Sequence, residues 1–130
     1  MDKKKAIKYW LKSSADDWQV AEHLFENKDY SYALFFGHLT IEKILKALYV
    51  DKHETVPPYT HSLGFLAEKI SLELTVEQTT LFNIISRFNI EARYSDYKFD
   101  FKKQCTKAYT NKYLAEIKEI KEWLLNQIQS

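Results

Sequence analysis

FFGHLTIEKILKALYV, running from Phe35 to Val50, carries apolar residues around its full circumference while His38, Glu42 and Lys46 recur at every fourth position. A helix apolar all round is a buried helix. Residues four apart share one face, so this helix takes an imidazole, a carboxylate and an ammonium into the interior or into an interface. Such groups are costly to bury unless they are paired. The stripe therefore points to a functional site or an obligate partner; the same residues also suit a structural polar cluster that fixes helix register.

The surrounding composition supports a helical setting. In 130 residues there are only two glycines and two prolines, which favours long helices and short connections over a turn-rich β architecture. The length suits one domain over residues 1–130, able to bury roughly two-thirds of its unfolded surface. An aromatic fraction of 15% excludes a disordered chain. The net charge of +1 provides no global field for nucleic acid, so any such binding has to rest on a local patch. Two basic stretches exist, Lys3 to Lys12 and Lys98 to Lys112; each suits a solvated helix face or a phosphate-facing surface. The lone Cys105 cannot form an intramolecular disulfide and fits a reducing compartment. No apolar run reaches the ~20 residues that span a bilayer, and the lysine-rich start precedes an amphipathic segment, so a cytoplasmic location is expected.

Outward from the opening stretch, Ile7, Leu11, Ser14, Ala15, Trp18, Ala21, Leu24 and Phe25 repeat with helical spacing and predict a first helix from about Lys3 to Asn27. Turn residues follow, from Asn27 to Ser31, and the second helix then runs to about Asp51. Two long helices so joined should pack as an antiparallel hairpin. Pro57-Pro58 forces a loop from about Lys52 to Thr60. A short helix is expected near Ser62 to Ile70, and Thr75-Val76-Glu77-Gln78 matches a capping box opening a fourth helix to about Ile90. From Tyr97 to Lys102 the alternation has period two and predicts an extended piece. A last helix from about Lys102 to Gln127 completes an all-α, up-and-down bundle of four to five helices.

Three constellations carry possible chemistry. In the stripe, Glu42 can neutralise either neighbour and hold His38 in one tautomer, leaving Lys46 for an anion. His61 follows the double-proline loop and can help bind phosphate, pair with the stripe, or merely satisfy a helix end. In Glu91-Ala92-Arg93-Tyr94-Ser95-Asp96, Arg93 presents a planar fork for phosphate or carboxylate, Tyr94 can stack on a base, and Asp96 can orient Arg93. An Arg93 ion pair with Glu91 or Asp96 is the structural alternative. A metal held by His38, Glu42 and His61 lacks the usual ligand spacing, and neither a metal nor another cofactor is expected. Cys105 has no nucleophile signature.

Tyr30 to Ala33, then His38, Glu42, Lys43, Leu45 and Lys46, the post-loop His61-Ser62-Leu63 and the late Glu91-to-Asp96 segment together resemble the HEPN domain (higher eukaryotes and prokaryotes nucleotide-binding). The "ARYSD" form resembles the "ARYPD" segment of bacterial and archaeal members, with Ser95 where proline is usual. The resemblance implies an up-and-down helical bundle, homodimerisation and pairing with a minimal nucleotidyltransferase, often as toxin and antitoxin. Many relatives are metal-independent ribonucleases using an arginine, a polar residue and a histidine four to six residues further on. Here the residues reached after four to six intervening positions are Lys98, Phe99 and Asp100 from Arg93, and Ala92, Arg93 and Tyr94 from Arg87. Neither set supplies the imidazole that general acid–base cleavage needs. The expectation is thus a non-cleaving module binding nucleotide or RNA through His38, Glu42, Lys46, His61, Arg93, Tyr94 and Asp96. Its rivals are a ribonuclease toxin with a relocated acid/base at His38 or His61, and a structural oligomerisation partner.

Overall fold

A computed structural model describes residues 1–128, in which six helices occur: α1 (Lys3–Glu26), α2 (Tyr30–His53), α3 (Leu63–Lys69), α4 (Val76–Glu91), α5 (Lys98–Gln104) and α6 (Lys107–Leu125). The fold is all-helical, as the composition implied. The short helix expected near Ser62 to Ile70 forms as α3, and the helix without a counterpart in the sequence pattern is the seven-residue α5. The terminal residues 129 and 130 of the expected domain lie outside the described residues.

The helix ends follow local chemistry. Asp2, Ser62, Thr75 and Thr106 each accept a backbone N–H of the first turn of α1, α3, α4 and α6, and the predicted box between Thr75 and Gln78 closes in both directions. Helix α1 ends with Lys28 left-handed at φ 64, Lys28 N–H donating to Phe25 O and Asp29 N–H to Leu24 O. Helix α3 ends in the same way at Ser71, whose φ is 54. These paired hydrogen bonds satisfy the last carbonyls of each helix.

Helix α2 is the centre of the bundle, and Leu34, Ile41, Leu45 and Val50 are fully enclosed. Helix α1 lies along it as the expected hairpin, latched by Ser14 Oγ donating to Thr40 O at 2.7 Å and by Lys43 Nζ at 2.6 Å from Asp17. Gly37 sets the approach of α6: a Cβ there would lie 2.8 Å from Ile117 Cδ1. The core continues through Leu63 and Leu66 of α3, Phe82, Ile85 and Phe88 of α4, and Ile117 and Leu124 of α6.

One local expectation is overturned. Residues 97–102 are not extended: Lys98 N–H donates to Tyr94 O and Phe101 N–H to Tyr97 O, each at 2.9 Å, and α5 forms. A lone strand without a partner would leave these backbone groups unpaired, whereas a helical turn closes them internally. Of the three rings only Phe101 is covered, packed on Phe88 at 5.6 Å between centroids. The last helix consequently starts at Lys107 rather than Lys102, because the chain breaks at Cys105 and Thr106 caps anew. Burial, with the Glu91 charge second, pushes the Cys105 thiol up to about 12, which makes it a poor nucleophile.

Candidate functional site

The stripe on α2 finds its partners in one loop residue. His61 donates from Nδ1 to Glu42 Oε1 at 2.8 Å, and its own carbonyl accepts from His38 Nε2 at 2.9 Å. Lys46 Nζ holds the other carboxylate oxygen, Oε2, at 2.9 Å. Glu42 is thus bonded through both oxygens while 3% exposed, and Lys46, 6% exposed, also lies over the Trp10 ring of α1 at 5.4 Å. The double-proline loop is pinned to α2 by these two bonds of His61.

A carbonyl only accepts, so His38 carries its proton on Nε2 and leaves a lone pair on Nδ1. That nitrogen is buried without a partner. Burial drives the His38 pKa down most strongly; the His61 carbonyl and Glu42 oppose this, while His61 and Arg93 add to it. The imidazole is therefore neutral near pH 7. Its contribution to stability is complete above the unfolded value near 6.5 and is lost as pH falls, since the unfolded ring takes up a proton that the folded ring resists. Between pH 7.5 and 5.5 the melting temperature of the wild type should fall further than that of His38→Gln, which keeps an N–H donor but cannot titrate. Equal falls in the two proteins would show that His38 is not held neutral.

Arg93 stands beside this cluster at the end of α4. Its Nε donates to Asn89 O at 3.0 Å and its Nη2 to Asn89 Oδ1 at 2.8 Å, so Asn89 orients the fork. Neither Glu91 nor Asp96 does so; Glu91 instead lies 3.8 Å from the exposed Arg87. The Arg93 guanidinium covers Phe35 of α2 at 5.1 Å and Tyr94 at 5.5 Å. Tyr94 is exposed at its rim, and Asp96 is exposed beyond it.

The structure thus brings His38, Glu42, Lys46 and His61 into one bonded group and sets Arg93 and Tyr94 alongside. Their exposures divide them. His38, Glu42 and Lys46 are enclosed, whereas the His61 side chain is 40% exposed with Nε2 unbonded, next to the Tyr59 ring at 5.8 Å. Trp10, Asn89, Phe35 and Tyr59 are additional members that the sequence pattern did not single out. Only Asn89 left a signal, being four residues before Arg93 and therefore on the same helix face. Among the described residues, no cluster of His, Cys, Asp and Glu has the arrangement to hold a metal ion. Nor is any helix among them long and apolar enough to cross a membrane.

A family model described as the HEPN domain matches residues 7–128 of the chain. The fold is similar to a solved structure, the crystal structure of TT1696 from Thermus thermophilus, with a TM-score of 0.78 at 16% identity; the match covers 92% of this chain and 96% of that one. At that identity the likeness is one of fold. No curated protein matches the chain.

Proposed function

We propose, from the premise that this chain belongs to the HEPN domain family, that it is a nucleotide- or RNA-binding module without the nuclease histidine of its relatives. The observation carrying this reading is the Arg93 fork. Two of its five N–H donors are spent on Asn89, and the remainder of an exposed, pre-oriented guanidinium suits a phosphate. His61 and Tyr94 are also exposed and would supply a polar contact and a ring. Behind them His38, Glu42 and Lys46 hold His61 and its loop in place, while Asp96 is exposed two residues beyond Tyr94. The positions reached from Arg93 and Arg87 after four to six intervening residues offer no imidazole.

The wider reading is a cytoplasmic homodimer of single domains paired with a minimal nucleotidyltransferase in a toxin–antitoxin couple. It needs neither metal nor other cofactor. Co-purification with the product of an adjacent nucleotidyltransferase gene would test that pairing.

Binding is measured by fluorescence anisotropy with labelled ATP and a labelled oligoribonucleotide at low salt, where phosphate contacts are strongest. The wild type should bind at least one of them, and Arg93→Gln should weaken that binding about tenfold, in line with loss of a charged hydrogen-bonding partner. Absence of binding by the wild type sinks the reading.

One observation favours a second reading, a metal-independent ribonuclease. Glu42 bonded to His61 Nδ1, with His61 Nε2 open, is a carboxylate-oriented imidazole of the kind that serves as a general base. It singles out His61 over the enclosed His38. Cleavage of RNA in the presence of a chelator, lost in His61→Ala, would establish it; no cleavage by the wild type would remove it.

A further inference from the structure

Exposed aromatic side chains are concentrated where the helix pattern of the sequence breaks down. Tyr94, Tyr97 and Phe99 are 53%, 49% and 67% exposed within six residues of chain. The same short region, 93–103, carries Arg93, Lys98, Lys102 and Lys103 against Asp96 and Asp100. Tyr97 sits one turn beyond Tyr94, its N–H donating to Tyr94 O at 3.0 Å. Because Phe101 is buried on Phe88, Phe99 two positions earlier faces away from the core. Lys102 and Lys103 follow Phe99 by three and four residues and share its face, and Lys98 Nζ lies 5.2 Å from its ring.

Resting on the binding function proposed for this chain, we infer that residues 93–103 form a stacking platform for single-stranded nucleic acid. Exposed rings offer π-faces to unpaired bases of any identity, and neighbouring cations follow the phosphates. A duplex hides its base faces and could use only the charges. A free mononucleotide would occupy one ring of the three. A protein interface is less well matched, since lysine is depleted at interface cores, and three lysines surround Phe99.

The experiment compares a labelled 12-nucleotide uridine-rich RNA, the DNA of equivalent sequence, a 12-base-pair duplex and labelled ATP, by anisotropy at low salt. Both single strands should bind at least tenfold more tightly than the duplex. Phe99→Ala and Tyr97→Ala should each weaken them about 5- to 50-fold, as expected for loss of one stacked base, with Phe99→Trp retaining affinity. The logarithmic salt slope should be about −2 to −3, as for roughly four neutralised phosphates on a single strand. Both positions are exposed, and an unchanged circular dichroism spectrum confirms the fold. If the alanine variants bind as the wild type does while Lys102→Gln with Lys103→Gln weakens binding, the platform is refuted and the binding function stands. Equal affinity for the duplex likewise refutes the platform and leaves the binding function standing. Conversion of a dimer to a monomer by Phe99→Ala, with RNA affinity intact, assigns the surface to a protein partner and also refutes it. If the wild type binds none of the probes, the binding function itself fails.

Discussion

Replacing Glu42 with alanine is expected to lower the unfolding free energy by about 3–5 kcal/mol, the cost typical of removing one partner from a buried ion pair. The carboxylate is 3% exposed and uses one oxygen on Lys46 and the other on His61. Without it the Lys46 amine, 6% exposed and lying over Trp10, loses the carboxylate it is bonded to. His61 loses the bond that fixes its ring, so of its two bonds to α2 it retains the one from His38 to its carbonyl. Urea denaturation gives the magnitude, and limited proteolysis between Glu54 and Thr60 reports release of the loop. Glu42→Leu combined with Lys46→Met should recover much of the loss, since a buried pair replaced by apolar residues of similar volume is often neutral. A loss below about 1 kcal/mol for Glu42→Ala would mean that the stripe is solvated, contrary to its enclosure.

That pair also marks how far the sequence could be read. A helix apolar all round with polar residues every fourth position was evident from Phe35 to Val50, and burial of His38, Glu42 and Lys46 followed from it. Glu42 as the neutralising member was also legible, because its neighbours are fixed by helix geometry alone. His61 was visible as a candidate partner, yet its pair of hydrogen bonds to α2 depends on how a proline-rich loop returns, which no local periodicity encodes. Trp10 and Phe35 were hidden for a simpler reason. On amphipathic or buried helices an aromatic ring has the pattern of core, and only the packed arrangement shows a cation above it.

The segment from Arg93 to Gln104 defeats its sequence pattern because alternation over six residues fits a strand equally well as a short helix with one buried ring. No neighbouring strand exists among the described residues to satisfy an extended backbone, and of this segment's rings Phe101 is the one packed on Phe88. Tertiary contact therefore decided the local conformation. The consequence reaches function, since an extended piece would have set Tyr97, Phe99 and Phe101 on one covered side, whereas the helix leaves Tyr97 and Phe99 outward beside the lysines.

Phe88→Ala is therefore expected to do two separable kinds of damage. Phe88 is fully buried and meets Phe101 of α5 and Tyr113 of α6, each at 5.6 Å between centroids. Truncating such a ring costs about 3–5 kcal/mol through lost burial and the cavity left behind, measured by urea denaturation. Helix α5 suffers further. It has seven residues and no side-chain cap at Tyr97, and helices so short do not persist on propensity alone; besides its packing against α2, the Phe88–Phe101 contact anchors it. In hydrogen exchange, the amides of Phe101 and Cys105 should lose protection by more than the global loss of stability accounts for. Phe88→Leu, which fills most of the space, should cost far less globally and leave α5 largely protected. If Phe88→Ala destabilises the bundle while protection in α5 falls only in proportion, then α5 is held by its packing on α2 and its own backbone. The outward placement of Tyr97 and Phe99 would then owe nothing to the core ring beneath them.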